Sequence, residues 1–237
     1  MRSLLLAVAV LWAPAVVAQA PADTLTLAPG DGHLTTDWMA SGTQAYTVRL
    51  VQPQAMDIGT ASETTTVEGG TVTRVLTLSI PMQGMTQTDS LVADAATLMP
   101  LTHHSTGGQM EASLEFMAEG VVGMLTPRQG EATTVLLETY DPVFDSAWMG
   151  EIAQSLPLVE GAVVRVPAFT NQSPEEAIEA ILTVSGQETL GERMAWAVDA
   201  QMGPLAVTYL VDPETRELLT TRFSPQPGVR VEIRPAD

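Results

Sequence analysis

The chain contains no cysteine and no lysine, and only 5% of its residues are aromatic. Without cysteine there is no disulfide framework, thiol nucleophile or thiolate metal site, and no acylation point for a lipoprotein leader. Stability must therefore come from burial, and 45% hydrophobic residues in a chain of 237 can supply one sizeable core. Every basic residue is arginine: 10 stand against 28 acidic residues, for a formal net charge of −18. Such a surface repels phosphate backbones and anionic headgroups, which argues against nucleic acid or an acidic membrane as partner. The acidity has two explanations. One is life in a saline medium, where screening removes the self-repulsion; the other is a GC-rich genome that favours Arg, Ala, Val, Pro and Gly codons. Neither identifies a function.

What is present begins with an export signal. Arg2 forms a short positive region, Leu4 to Val17 an apolar one, and Ala18-Gln19-Ala20 matches the small-x-small pattern of signal-peptidase sites. Cleavage after Ala20 is expected, leaving a soluble periplasmic or extracellular chain with no transmembrane segment. Residues 21–42 are small and polar and read as a lead-in with one short strand at Thr24 to Leu27. Residues 43–237 read as a single β-rich domain, because no fixed repeat, linker or low-complexity block interrupts them.

The strand signals are regular. Ala45 to Val51, Thr71 to Ile80, Thr97 to Ser105, Met110 to Met117, Val121 to Thr126 and Ala132 to Tyr140 are short and rich in Thr, Val and Leu. Gly69-Gly70, Gly107-Gly108 and Arg128-Gln129-Gly130 between them suit tight hairpins. In the Met110 segment, Met110, Ala112, Leu114 and Phe116 alternate with Glu111, Ser113 and Glu115, so one face is apolar and the other wet. A one-sided sheet needs a cover. The helix signal starts at Asp145, a capping residue, and sets Trp148, Ile152 and Leu156 on one stripe before Pro157 ends it. Ser173-Pro174-Glu175-Glu176 has capping-box spacing, yet the β-branched run up to Gly186 suits one helical turn leading into a strand. Arg193 to Asp199, Leu205 to Val211, Thr215 to Phe223 and Gly228 to Arg234 read as four further strands, with Asp212-Pro213-Glu214-Thr215 as a tight turn. The expected fold is mainly β: one large curved antiparallel sheet, a half-barrel meander, wrapped around one helix.

The recognisable catalytic signatures are missing: no Gly-x-Ser-x-Gly elbow, no His-Glu-x-x-His, no phosphate loop and no calcium loop. No catalytic, metal or cofactor residue is assigned. His103-His104 offers two imidazoles, but neighbours on a strand point to opposite faces and do not share an ion. Glu138, Asp141 and Asp145 could provide an acid and a base, or simply end a strand, start a turn and cap the helix. Asn171-Gln172-Ser173 matches a glycosylation acceptor and reads as a plain loop in a bacterial export context. The 12 methionines suit an adaptable greasy cavity, and also ordinary core filling. If a cavity lies between sheet and helix, its lining is expected from Met99, Leu101, Met110, Leu114, Phe116, Trp148, Ile152 and Trp196.

Thr97-Leu98-Met99-Pro100-Leu101, Tyr140-Asp141-Pro142, Trp148, Leu156-Pro157-Leu158 and Gly161 together resemble the uncharacterised DUF3108 family of exported bacterial proteins. Ala195-Trp196-Ala197-Val198-Asp199 and the run Tyr209 to Arg216 fit the same pattern, so the resemblance covers roughly Ala45 to Arg234. It implies a sheet similar to that of the periplasmic lipoprotein carriers, whose half-barrel holds acyl chains beneath a helix. The family offers no catalytic residues to carry over. The expectation is a non-enzymatic exported binding protein with a hydrophobic small molecule or lipid as partner. The alternatives are an envelope protein-interaction module that uses a sheet edge or face, and a hydrolase with an unfamiliar acidic site.

Overall fold

The computed structural model describes residues 24–236, so the export signal expected at residues 1–20 lies outside the described residues. The strands are β1 (Thr24–Thr26), β2 (Gly42–Gln52), β3 (Met56–Glu68), β4 (Thr71–Ile80), β5 (Met85–Asp94), β6 (Pro100–Thr106), β7 (Met110–Met117), β8 (Gly120–Pro127), β9 (Thr133–Glu138) and β10 (Phe144–Asp145). After a short 3-10 turn comes the one α-helix among the described residues, α1 (Met149–Ser155). Then follow β11 (Val163–Phe169), β12 (Ile178–Leu190), β13 (Arg193–Met202), β14 (Leu205–Val211), β15 (Leu218–Gln226) and β16 (Val229–Pro235).

All sixteen strands belong to one sheet, in the order β1-β11-β12-β13-β14-β15-β16-β2-β3-β4-β5-β6-β7-β8-β9. Two meanders, β2 to β9 and β11 to β16, are therefore joined by the pairing of β16 with β2. Along this path every pair is antiparallel except β1 with β11. The two-residue β10 also pairs with β11 in parallel, so β1 and β10 follow each other along the edge of β11 that β12 leaves free. The expected all-antiparallel meander thus has a small parallel addition at one end. The sheet curls until β9 at one end and β1 with β11 at the other face each other across a groove lined by Thr26 to Ala28, Leu137 to Asp141 and Pro167.

A seven-residue helix is too short to be stable alone. Here all seven residues are buried, and Trp148, Met149, Ile152, Ala153 and Leu156 pack against Leu91, Leu98, Val166, Leu182, Val198 and Val211 of the surrounding sheet. Full burial of side chains of this size contributes about 1.5–3 kcal/mol each. Polar anchors position the helix as well. Asp145 accepts the Ala147 backbone N–H at 2.9 Å, as its capping role requires. At the other end Arg216 donates to the carbonyls of Leu156 (2.8 Å) and Gln154 (3.3 Å), the groups a helix C-terminus leaves unpaired. Gln154 donates in return to the Arg216 carbonyl at 2.7 Å.

Several expected boundaries move for local reasons. Strand β6 starts at Pro100 and not at Thr97, because Asp94 Oδ1 takes the N–H groups of Ala96 and Thr97 and turns the chain. Strand β12 does not stop at Gly186; a bulge leaves Ser185 out of register, Gly186 pairs with Ala197, and pairing continues to Leu190. Strand β15 begins at Leu218, after Asp212 Oδ1 has accepted the N–H groups of Glu214 and Thr215. Strands β3, β5, β10 and β11 have no counterpart in the sequence reading. β3 (MDIGTASETTTVE) buries little beyond Ala61 and β5 begins with a polar run, so neither shows a strong apolar alternation; β11 does alternate, with Val164, Val166 and Ala168 buried, but carries Pro167, which argues against a strand.

Candidate functional site

A cleft of about 400 Å³ opens at the end of the sheet where α1 does not fill the interior. Its polar wall comes from β5 (Gln87, Asp89), β6 (His103, Ser105) and the helix entry (Asp145 to Ala147). Its apolar wall comes from Met110, Ile178, Met202 and Leu205, and the loop Thr170 to Ser173 forms a rim. Residues 103 and 105 share a face of β6, which brings both inward, while His104 points out and contacts Ser113 Oγ at 3.2 Å. The two histidines thus lie on opposite faces, as strand geometry requires.

His103 sits between two carboxylates. Its Nδ1 is 2.7 Å from Asp145 Oδ2, and its Nε2 is 3.7 Å from Asp89 Oδ1. Neither nitrogen makes an aligned hydrogen bond among the described residues, so these are ion-pair contacts and the ring's N–H groups remain unspent. Burial pushes the imidazole pKa down, but Asp145 and Asp89 outweigh it and raise it to about 9. At neutral pH the ring is therefore an imidazolium. Burial likewise pushes the Asp89 carboxyl up, and His103, Ser105 and Gln87 together hold it below the usual range. Gln87 Nε2 donates to both Asp89 oxygens, at 3.1 and 3.0 Å. The cluster of one cation and two anions carries a net negative charge. Ser105, His103 and Asp145 superficially suggest a nucleophile, base and orienter. Ser105 Oγ, however, accepts from Gln87 Nε2 at 3.4 Å and makes no hydrogen bond to His103 among the described residues.

The space between sheet and helix is filled. Arg74 of β4 forms a buried ion pair with Glu151 of α1, donates to the Ala147 carbonyl at 2.7 Å, and lies 5.3 Å from the centroid of the Trp148 ring. The cavity beside this pair measures about 60 Å³, room for little more than water. Glu63 stands nearby, its carboxyl raised mainly by burial and further by Glu151 against the opposing pull of Arg74.

The eight expected lining residues do not share one cavity. Trp148 and Ile152 belong to the main core, with Trp196 packed on its margin. Leu114 and Phe116 belong to a second core with Val121, Leu125, Val135, Leu137, Val143 and Phe169, where the Phe116 and Phe169 rings meet edge to face at 5.8 Å. Met110 packs against that second core and also lines the cleft. Met99 is half-buried in the turn before β6. Leu101 is 38% exposed, because the register shifts there: Val92 pairs with Thr102 and Ala93 with Pro100, so Leu101 is the extra residue of a bulge. Nor do the three acidic candidates converge: Asp145 is buried beside His103, while Glu138 and Asp141 are exposed in the groove between the sheet ends. The sequence reading had noted His103 but not Asp89, Gln87 or Ser105. Only recognition of β5 would have placed Asp89 beside it.

A family model described as "Protein of unknown function (DUF3108)" matches residues 45–234. The chain belongs to this family. The matched span takes in β3 to β15 and most of β2 and β16, and with them the helix and the polar wall of the cleft. No curated protein matches the chain. The DUF3108 assignment fixes kinship without adding an activity, so a functional reading must come from the geometry of the site.

Proposed function

We propose that this DUF3108 protein is an exported, non-enzymatic binding protein that takes a small neutral amphiphile in the His103 cleft and not beneath the helix. The observation that carries this reading is His103 itself: its side chain is only 6% exposed, it lines an open cleft, and its Nε2 has no hydrogen-bond partner among the described residues. A buried polar group of this kind gains when a ligand supplies the missing partner. Met110, Ile178, Met202 and Leu205 offer the other wall to an apolar tail, and the cleft volume lies within the range of small-molecule sites. The excess negative charge disfavours an anionic head. A hydroxyl or amide head both accepts from the imidazolium and donates to a carboxylate. Export rests on the leader pattern at residues 1–20, and the non-enzymatic reading rests on the two carboxylates that flank the His103 ring.

The test starts from the mature chain, Pro21 onward, purified from a bacterial envelope and examined by native mass spectrometry with solvent extraction. Wild type should carry an extractable neutral species with an apolar tail. The double variant Met110→Trp and Leu205→Trp, which narrows the cleft from two sides, should emerge without it. Retention of the same species by the double variant, or bare chains in both preparations, overturns the proposal.

A further inference from the structure

The last strand of the sheet path, β9, pairs with β8 on one side only, so the N–H and C=O groups along its other edge have no ladder partner among the described residues. Exposed edges of this kind are templates for strand addition. The facing end of the sheet is protected differently: β1 and β10 occupy parts of the free edge of β11, and Pro167 between them has no N–H to offer. Between the two ends runs a groove of about 510 Å³ whose charged lining is Glu138, Asp141, Glu175 and Glu176, with no arginine. None of these four carboxylates makes an ion pair among the described residues, although most arginines of the chain are paired or capping. The outer face beside this edge is mixed: Met117, Met124, Leu136 and Tyr140 are exposed there, among Glu111, Glu115 and Glu138. Cross-strand pairing sets Leu136 against Val122, and a second groove joins Met117, Leu136 and Tyr140.

We infer that β9 is a docking edge for an extended, basic segment of another protein, which pairs with it as an added strand and lies between the two ends of the sheet. Strand addition provides main-chain hydrogen bonds, and alternate side chains provide the selection. Leu136 and Glu138 share the outward face of β9, opposite buried Val135 and Leu137, so the guest's side chains on that face meet an apolar and an acidic neighbour in turn, and Asp141, Glu175 and Glu176 line the groove beyond the strand's end. A second copy of this chain is a poor guest, since its own net charge is −18. The inference is independent of the cleft, which lies at a different set of residues.

A fluorescent peptide of alternating lysine and valine, long enough to span β9, serves as probe, with a lysine–proline peptide of equal length and charge as control. The lysine–valine peptide should bind about tenfold or more tightly than the control, because proline cannot complete the ladder. Its binding should slow hydrogen exchange of the amides of Thr133 to Glu138. The exposed charge reversals Glu138→Lys and Glu175→Lys should together weaken it by about tenfold or more while leaving the fold intact. Equal binding of the two peptides would mean electrostatic adhesion alone and overturn the inference. So would absence of binding, or binding indifferent to the charge reversal.

Discussion

The strands that wrap the helix and the hairpins that end the sheet at β7 to β9 bury their apolar faces in different ways. Around α1 every residue of the helix is buried, and even its charges, Arg74 and Glu151, are buried against each other, while the interior opens at the His103 cleft. At β7 to β9 the inner face packs on Val143 and Phe169, but the outer face keeps Met117, Met124 and Leu136 in solvent, and one edge of β9 has no strand partner among the described residues. The difference teaches where to look for partners. A region packed around its helix serves stability, and a region finished on one side only has surface left for something else.

The sharpest way to break this contrast is Glu151→Ala. It leaves the Arg74 guanidinium buried without its counter-ion, and should cost about 3–5 kcal/mol, read as a lowered denaturation midpoint. The paired replacement Arg74→Met with Glu151→Leu should recover most of that loss, because no unpaired charge remains. If Glu151→Ala is nearly neutral, the helix is not the fixed centre of the fold.

A smaller effect is expected from pH. The folded-state pKa of His103 is raised to about 9, above the unfolded value near 6.5. Its contribution is therefore fully present below about pH 6.5 and disappears as pH rises through about 9, a loss of up to roughly 3 kcal/mol. Urea midpoints measured across this window should fall for wild type, and the fall should be much shallower in His103→Gln. A wild-type curve as flat as that of the variant would mean that the two carboxylates do not hold the proton. The smallest effect belongs to Leu136→Asp, on the exposed face: a change within about 0.5 kcal/mol in stability. A larger destabilisation would show that this side chain is part of the core after all.

Much of the fold was legible before the coordinates, and for identifiable reasons. Strands with strict alternation, such as Met110 to Met117, and glycine-marked hairpins were found with their boundaries nearly intact. The helix was legible because Asp145, Trp148, Ile152 and Leu156 combine a cap with one apolar stripe. Strand β3 was not, since its residues are small and polar and its place is set by pairing with β2 and β4, a long-range effect that periodicity does not record. The candidate site was less legible still. The expected cavity is a greasy one under the helix, yet the cleft depends on Asp89 and His103 of the neighbouring strands β5 and β6 and on Asp145, which is distant from both in the chain. A single bulged residue also turned Leu101 outward, and strand parity read from sequence cannot foresee such a shift.

The order of the strands has a consequence for how the molecule is made. Strand β16, the last in the chain, separates β15 from β2, and so supplies the pairing that unites the two meanders. Within each meander, neighbours in sequence are neighbours in space, so hairpins can form as the chain emerges. Until the final strand arrives, however, β2 and β15 are both bare, and the nascent protein is two half-sheets with exposed margins. A chain cut before Val229 should therefore be prone to wrong association even though nearly every other described strand is present, and the arrival of β16 becomes the event that commits the fold.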